Sequence, residues 1–274
     1  MPEGDTIHRH AAELGRTIVG RSVTAFHARG TSYGRLVGQE VRAAEARGKH
    51  LLIDVGAARV HVHLGMYGRL RVVAPATVDD GTRGRASLVI ETADAAAVWW
   101  RAPTVEVLRA AFAHHHPALA GLGPDVLAPE FDAAAAATRA RANRPLQMPV
   151  GALLLDQRVA AGIGNVYKSE VLYLERIDPR TPLAALDDAT LERIYARARV
   201  LMNQNLGPWR RTTTADLTRG GFGPQGSARV HVYRRVGRPC RACGTIIAVL
   251  VQGEPPRRTY YCPNCQRTPA ATSS

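Results

Sequence analysis

The start of the chain carries apolar residues at the spacing of one helix face. They are Ile7, Ala11, Leu14 and Ile18. Asp5 precedes this run in the position of an N-cap, and Gly20 lies just beyond its end. The pattern predicts an amphipathic N-terminal helix capped by Asp5.

From residue 21 to about residue 109 the pattern changes to short β-rich runs separated by turn residues. The runs are 21–29, 41–46, 50–55, 59–64, 86–92 and 96–101. An alternation typical of a strand with one buried face places Val60, Val62, Leu64 and Met66 on one side and His61, His63 and Gly65 on the other. This half of the chain is predicted to form a β-sandwich or a barrel, and we favour the sandwich.

The second half of the chain has a helical pattern. A proline-containing stretch, 121–131, is typical of an interdomain linker, and an alanine-rich run with helical spacing follows it. Pro149 can start a further helix that runs through Leu153 and Val159. We therefore expect an α-rich second domain.

A longer helix is predicted near residue 190. Asp187 or Asp188 can cap it, and Gly207 and Pro208 can close it. Its apolar residues are Leu191, Ile194, Ala198 and Leu201. The polar, glycine-rich stretch 212–228 is predicted to be a mobile loop of the kind that can close over a substrate.

Two pairs of cysteines lie near the C-terminus. Cys240 and Cys243 form one Cys-x-x-Cys pair, and Cys262 and Cys265 form the other after eighteen intervening residues. This spacing predicts a tetrahedral zinc site on a hairpin with strands at 245–251 and 258–261. Four thiolates leave no open coordination position, so the zinc is predicted to be structural.

These changes of pattern define three regions. Residues 1–124 are predicted to form an N-terminal β-sandwich domain with an N-terminal helix. Residues 125–228 form a helical domain with a mobile loop, and residues 229–274 form a zinc-ribbon hairpin and tail. The expected fold class is α+β with several domains.

The composition favours a polyanionic partner. The 274 residues carry a net charge of +13, which makes nucleic acid the leading candidate, although a codon bias toward Arg and Ala would also raise the charge. Only two of the 36 basic residues are lysines, Lys49 and Lys168. Lys49 is therefore a candidate for a role that needs a compact charge.

The sequence carries neither an apolar signal core nor a run of 18 apolar residues. We expect a cytoplasmic, nucleoid-associated monomer that does not enter membranes. Histidines at 61, 63 and 114–116 have spacings that could suit a metal, but no carboxylate or cysteine pattern accompanies them. We interpret them as packed or solvated side chains.

The first residues offer candidate chemistry. If Met1 is removed, Pro2 becomes a terminal secondary amine with a pKa of about 8, lower than the roughly 10.4 of a lysine. Such an amine can attack a sugar aldehyde and form a cationic iminium, which acidifies the neighbouring carbon. Glu3 is a carboxylate placed to move the protons. The alternative is a frayed terminus with no chemistry.

Two further segments could bind phosphate. Residues 156–170 predict a helix that ends at Gly162, a tight turn at Gly164 and a new helix capped by Asn165, whose first amides can bind an anion. The alternative is an ordinary helical hairpin. In the turn 255–258, Arg257 can clamp a phosphate or simply be solvated.

Taken together, these features resemble one family, the formamidopyrimidine-DNA glycosylases and endonuclease VIII enzymes of base-excision repair. The resemblance covers nearly the whole chain. It rests on the Met-Pro-Glu-Gly start, on Arg47-Gly48-Lys49 before the strand at 51–53, on residues 156–170 as a helix-two-turn-helix and on the zinc hairpin.

The resemblance implies roles for single residues. Pro2 would be the Schiff-base nucleophile and Glu3 the general acid and base. Lys49 would be a third catalytic residue. It would hold the phosphates around the damaged nucleotide, together with the DNA-binding residues Asn165 and Arg257. The partner would be damaged, double-stranded DNA whose target base is flipped out of the stack.

The branch of the family follows from smaller features. Gly4 and the absence of an Arg-Arg-Phe-Gly element near Arg101 look like endonuclease VIII, which acts on oxidised pyrimidines. Thr6 replaces a family Glu, so the contacts to the base are expected to differ from those of the family. By contrast, the Met at the middle position of Gly65-Met66-Tyr67 resembles the residue found in the purine-specific branch.

Met66 and Tyr67 would fill the gap left by the flipped base, unless both pack in the sandwich core. We therefore expect a bifunctional DNA glycosylase and AP lyase that cleaves the strand by β,δ-elimination. The alternatives are a purine-preferring glycosylase of the same family and a non-catalytic zinc-ribbon protein that binds DNA.

Overall fold

The computed structural model describes residues 1–207, 211–214 and 229–268. Residue contacts divide the chain into two units, Met1–Leu122 and Gly123–Ser274. The three-part division expected from the sequence stays a prediction. Pro208 and residues 215–228 of the expected mobile loop lie outside the described residues.

The first unit begins with helix α1 (Gly4–Thr17) and then forms nine strands. They are β1 (Ala25–Ala28), β2 (Thr31–Ser32), β3 (Val41–Arg47), β4 (His50–Val55), β5 (Ala58–His63), β6 (Arg69–Val73), β7 (Leu88–Glu91), β8 (Ala96–Trp100) and β9 (Thr104–Arg109). Helix α2 (Asp80–Arg85) lies between β6 and β7, and α3 (Pro117–Ala120) follows β9. This order confirms the predicted helix followed by a β-rich half.

The strands form two antiparallel sheets. One has the order β2-β1-β7-β8-β6 and the other the order β3-β4-β5-β9. In β4 and β5, alternate apolar residues such as Ile53 and Val62 are fully buried in a core that also contains Phe26 and Trp99. The intervening residues of these strands, among them His61, lie on the other face of the sheet.

Helix α1 buries the face that the sequence predicts, but it starts earlier than expected. Ile7 and Leu14 are buried, and the helix packs on β3 and β4. The N-cap position belongs to Glu3, whose carbonyl oxygen accepts from the amides of Thr6 and Ile7. Asp5 as the N-cap is therefore wrong, because Asp5 already lies in the first turn.

The second unit contains α4 (Ala133–Asn143), α5 (Val150–Leu153), α6 (Asn165–Leu174), α7 (Asp188–Asn203) and a hairpin of β10 (Ala248–Gln252) and β11 (Arg257–Tyr261). Asp187 caps α7 by accepting from the amide of Thr190 at 2.7 Å. The predicted linker is anchored in this unit, since Val126 and Phe131 are buried in its core.

Helix α5 is shorter than the sequence predicts. Pro149 occupies its N-cap position as expected, but the helix ends at Leu153 and does not reach Val159. The Asp156 side chain accepts from the backbone amide of Arg158 at 3.0 Å, and this local bond favours a turn over a helix.

Glu170, fully buried in α6, binds the backbone of the segment that begins at residue 229. Its carboxylate accepts from the backbone amides of His231, Val232 and Tyr233 at 2.7, 2.8 and 2.7 Å, and from the hydroxyl of Thr213. A buried carboxylate is tolerated because its oxygens are satisfied in this way. Among the described residues, no helix has the length and apolar character needed to cross a membrane.

We expect Glu170→Ala to lower the free energy of unfolding by roughly 3 kcal/mol, because three backbone amides lose their charged acceptor. Urea-induced unfolding would measure the change. Glu192, exposed on α7, gives the matched control, and Glu192→Ala should change stability by less than about 0.5 kcal/mol. Equal effects of the two substitutions would contradict this role of Glu170.

Candidate functional site

The predicted nucleophile stands directly before a buried carboxylate. Met1 is 41% exposed, Pro2 is half-buried and Glu3 is 1% exposed at the start of α1. The N-terminal end of a helix carries a partial positive charge, which stabilises an acidic side chain there. The structure therefore gives Glu3 an environment sheltered from bulk water beside the candidate amine.

Lys49 lies in the two-residue turn between β3 and β4. Arg47 and His50 form the last strand pair, and Gly48 has a φ of +60°, a left-handed conformation that favours glycine. Burial lowers the pKa of His50 to about 3, and the charge of Lys49 contributes to this shift. His50 is therefore neutral at physiological pH, and the cations of this hairpin end are Lys49 and the exposed Arg47.

A tight turn presents Met66 and Tyr67 to solvent. The amide of Gly68 donates to the carbonyl oxygen of Leu64 at 2.8 Å, and a Cβ atom at Gly68 would lie 2.3 Å from that oxygen. Met66 is 50% exposed and Tyr67 is 69% exposed. The alternative that both side chains pack in the sandwich core is therefore wrong.

Asn165 is the first residue of α6, and Gly164 occupies the N-cap position. The expected cap at Asn165 is therefore wrong by one residue, because the extended backbone of Gly164 precedes the helix. Oδ1 of Asn165 is buried without a hydrogen-bond partner among the described residues. Leaving a buried amide oxygen without a hydrogen bond costs about 1–3 kcal/mol of stability. A group kept in this state is typical of one that binds another molecule.

Gln157, which is not among the predicted site residues, holds the turn that leads to Asn165. Its amide nitrogen donates to the carbonyls of Leu155 and Ile163 at 2.8 and 3.1 Å, and its amide oxygen accepts from the backbone of Gly162 at 3.0 Å. Gly162 has a φ of +110°. In the sequence Gln157 stands between two charged residues, and nothing there distinguishes it from a solvated polar residue.

The helix that begins at Asn165 is fastened to the strand that begins at Arg257. Lys168 is fully buried in α6, and its Nζ donates to the Thr259 hydroxyl at 2.7 Å and to the carbonyl of Arg258 at 3.3 Å. Arg257 itself is exposed. The two predicted phosphate ligands thus belong to elements that pack against each other, although the sequence did not identify Lys168 as the link.

The four cysteines come together as the spacing predicts. Sγ of Cys243 lies 3.5 Å from that of Cys262 and 3.4 Å from that of Cys265, and Sγ of Cys240 lies 3.8 Å from that of Cys265. Tetrahedral Zn–S bonds of about 2.3 Å place sulfur atoms about 3.8 Å apart. The cluster therefore fits a single metal ion.

Thr245 and Tyr173 contact two of the cysteines. Hydrogen bonding by Thr245 lowers the pKa of the Cys243 thiol to about 5, so the thiolate that binds a metal is available at neutral pH. The Tyr173 hydroxyl lies 3.4 Å from Sγ of Cys240 and connects the cluster to α6.

Comparison with known proteins identifies the family. Residues 1–104 match the family model of the formamidopyrimidine-DNA glycosylase N-terminal domain, and residues 122–215 match that of the formamidopyrimidine-DNA glycosylase H2TH domain. The chain is 39% identical to a Mycolicibacterium smegmatis protein named DNA-(apurinic or apyrimidinic site) lyase Nei2, and the match covers 97% of this chain and 99% of the relative. The chain belongs to the formamidopyrimidine-DNA glycosylase family. The family predicted from the sequence is thereby confirmed.

Other members of the family differ in their similarity to the chain. Endonuclease 8 2 of Mycobacterium bovis is 39% identical and covers 97% of this chain and 100% of its own length. The formamidopyrimidine-DNA glycosylase of Thioalkalivibrio sulfidiphilus is 32% identical, covering 97% and 100%.

Two solved structures of the family share the fold. One is the Lactococcus lactis Fpg with DNA containing an abasic site, with a TM-score of 0.77, 22% identity and coverage of 97% and 99%. The other is MutM with DNA containing carbocyclic 8-oxo-G, with a TM-score of 0.77, 22% identity and coverage of 97% and 100%. The predicted fold class is confirmed.

Because both side chains are exposed, a variant carrying Met66→Ala and Tyr67→Ala should lose less than about 1 kcal/mol of stability. Leu64→Ala provides the matched control in the same turn, and it should cost about 2–5 kcal/mol because Leu64 is 1% exposed. Chemical unfolding would compare the two variants. A double variant as unstable as Leu64→Ala would show that the turn is part of the core.

Proposed function

We propose that the protein is a bifunctional DNA glycosylase and AP lyase of base-excision repair, with Pro2 as its nucleophile. The observation that carries the proposal is the pairing of Pro2 with the buried carboxylate of Glu3 at the start of α1. Its membership of the family, and 39% identity to a protein named as an AP lyase, support the same activity.

The chemistry follows from a secondary amine. After removal of Met1, the nitrogen of Pro2 attacks C1′ of the damaged nucleotide, the glycosidic bond breaks and the base leaves with a proton. The C1′–O4′ bond then opens and O4′ takes up a proton, which leaves the Pro2 nitrogen in a cationic iminium. The iminium acidifies the proton on C2′, and loss of that proton expels the 3′ phosphate. A second elimination expels the 5′ phosphate. Glu3 moves the protons in these steps.

Three residues are proposed to hold the phosphates around the damaged nucleotide. Lys49 supplies a compact cation at the turn of the β3–β4 hairpin. Arg257 offers an exposed guanidinium, which can bind two phosphate oxygens at once. Asn165 contributes its side chain at the start of α6. The net charge of +13 supports a DNA partner.

The proposed substrates are oxidised pyrimidines in double-stranded DNA. The higher identity to proteins named endonuclease 8 than to one named formamidopyrimidine-DNA glycosylase supports this branch. Met66 and Tyr67 are proposed to enter the stack where the damaged base leaves it, since their exposure suits insertion. Gly65 contributes no side chain, so discrimination among opposite bases should be weak.

The metal held by the four cysteines is proposed to be zinc, in a structural role. Four sulfur donors suit zinc, and a closed site leaves no position for a substrate. We further propose that the protein acts as a monomer at the nucleoid.

Borohydride should trap the protein covalently on abasic DNA through the nitrogen of Pro2. Protein that retains Met1 should lose trapping, because its Pro2 nitrogen is an amide, and Pro2→Gly should slow it. Denaturing gels and mass spectrometry would identify the adduct. Undiminished trapping by protein shown to retain Met1 would contradict the assignment, and DNA binding without any trapping would favour a non-catalytic DNA-binding protein.

Glu3→Gln should separate base removal from cleavage of the strand at an abasic site. Base removal should fall strongly, while some cleavage of ready-made abasic DNA should remain because that substrate already offers an aldehyde. Glu130→Gln, at an exposed position, is the matched control and should leave both activities unchanged.

Metal analysis should find one zinc held by the cysteines, and Cys262→Ser should lose both the zinc and DNA binding, because metal binding supplies the folding free energy of such small modules. Arg257→Ala is the control that keeps the zinc. It should weaken DNA binding and reduce the slope of log affinity against log salt by about one unit. Active protein without zinc would contradict the proposed metal.

A further inference from the structure

The outer face of the β3-β4-β5-β9 sheet gathers imidazole rings and one carboxylate. The register pairs His50 with His63 between β4 and β5, and His61 with Glu106 between β5 and β9. The alternate residues of β4 and β5 face the core, so these side chains share the opposite face. The interpretation of the histidines as unaccompanied by a carboxylate is wrong, because the strand pairing supplies one that lies 45 residues away.

His116 completes the group from outside the sheet. It lies between a 3₁₀ turn (Ala110–His115) and α3, and its backbone amide donates to the carbonyl of Ala113 at 3.1 Å. Nε2 of His116 lies 3.3 Å from Oε2 of Glu106, and Nδ1 of His61 lies 2.7 Å from the same oxygen. The three donor atoms all lie within 4.8 Å of one another.

We infer that His61, Glu106 and His116 form a binding site for a divalent transition-metal ion such as Zn²⁺. Two imidazoles and one carboxylate are donors that Zn²⁺ accepts at about 2.0–2.2 Å. Neighbouring donors in a tetrahedral site are then about 3.3 Å apart, so small side-chain rotations suffice here. Ca²⁺ and Mg²⁺ prefer all-oxygen ligands and are disfavoured.

The burial of the group suits a bound ion with one open position. The side chain of His61 is 1% exposed, that of His116 is 20% exposed and that of Glu106 is 40% exposed. The inner ligand is thus fixed by packing, while the outer two leave a side open to water. The Glu106 carboxylate favours a proton on Nε2 of His116 when no metal is bound. Nδ1 of His116 has no hydrogen-bond partner in the part of the chain that the structure describes, so it is available to carry the proton when Nε2 binds the metal.

His50 contacts the second ring nitrogen of His61, the one that does not face Glu106. Its Nδ1 lies 2.8 Å from Nε2 of His61. When Nδ1 of His61 binds a metal, its proton resides on Nε2 and is donated to Nδ1 of His50, which accepts it. A histidine ligand whose second nitrogen is held in this way has a fixed ring orientation and tautomer. His50 is therefore a positioning residue for the metal ligand.

The site differs from the cysteine cluster in donor type and in the unit that contains it. All of its residues lie within the unit Met1–Leu122, and its donors are nitrogen and oxygen. None of its three ligands is among the residues proposed to act on DNA. The competing explanation is a hydrogen-bonded histidine cluster that takes no metal.

Calorimetric titration with Zn²⁺ tests the site in protein whose cysteine metal is already in place. The wild type should bind one further equivalent in a saturable manner. His116→Ala and Glu106→Gln, at partly exposed positions, should weaken this binding at least tenfold. His115→Ala is the matched control, because His115 is exposed and its ring lies 3.8 Å from that of His114, and it should bind as the wild type does.

Circular dichroism and melting curves would establish that each variant is folded, and added Zn²⁺ should raise the melting temperature of the wild type and of His115→Ala but not of His116→Ala. Co²⁺ bound at the site should lack the sulfur-to-cobalt charge-transfer band of a thiolate ligand. The proposal is overturned if the wild type takes no further equivalent, if His115→Ala weakens binding as much as His116→Ala, or if the added Co²⁺ shows the thiolate band.

Discussion

The second unit depends on the need to satisfy polar groups that α6 buries. Lys168, Ser169 and Glu170 are all fully buried, and unpaired they would be very costly. Lys168 and Ser169 form hydrogen bonds with the strand that begins at Arg257. The Glu170 carboxylate accepts hydrogen bonds from the backbone amides at 231–233. The bonds to the strand hold the hairpin of β10 and β11 against α6, and they thereby link the two candidate phosphate ligands, Asn165 and Arg257.

Much of this architecture could be predicted from local patterns. The face of α1, the sandwich, the N-cap of α7 and the metal cluster follow from periodicity, from a short side-chain bond or from the spacing of four cysteines. The predicted close of α7 at Gly207 was wrong, because the helix ends at Asn203. The end of α5 did not follow, because the turn at Asp156 depends on a side-chain bond that competes with the helix. The caps at Glu3 and Gly164 were missed by one or two residues, since neither residue is a typical cap.

Non-local geometry accounts for what the sequence could not provide. Glu106 lies opposite His61 only because of strand register, and a buried lysine such as Lys168 cannot be told from a solvated one by its letter. The same limit applies to Gln157, whose three bonds depend on the path of the turn around it. Residues whose partners lie far along the chain need the fold before their roles become visible.

The turn between Leu64 and Gly68 has a thermodynamic consequence. Its closing hydrogen bond and the close approach at Gly68 restrict the backbone, and Gly65 adopts a φ of +56° that suits only a few residue types. The conformational entropy of this loop is thus lost when the chain folds, not when a ligand arrives. A surface ordered in advance gives up less freedom on association, so the proposed contacts of Met66 and Tyr67 with DNA would contribute more fully to affinity.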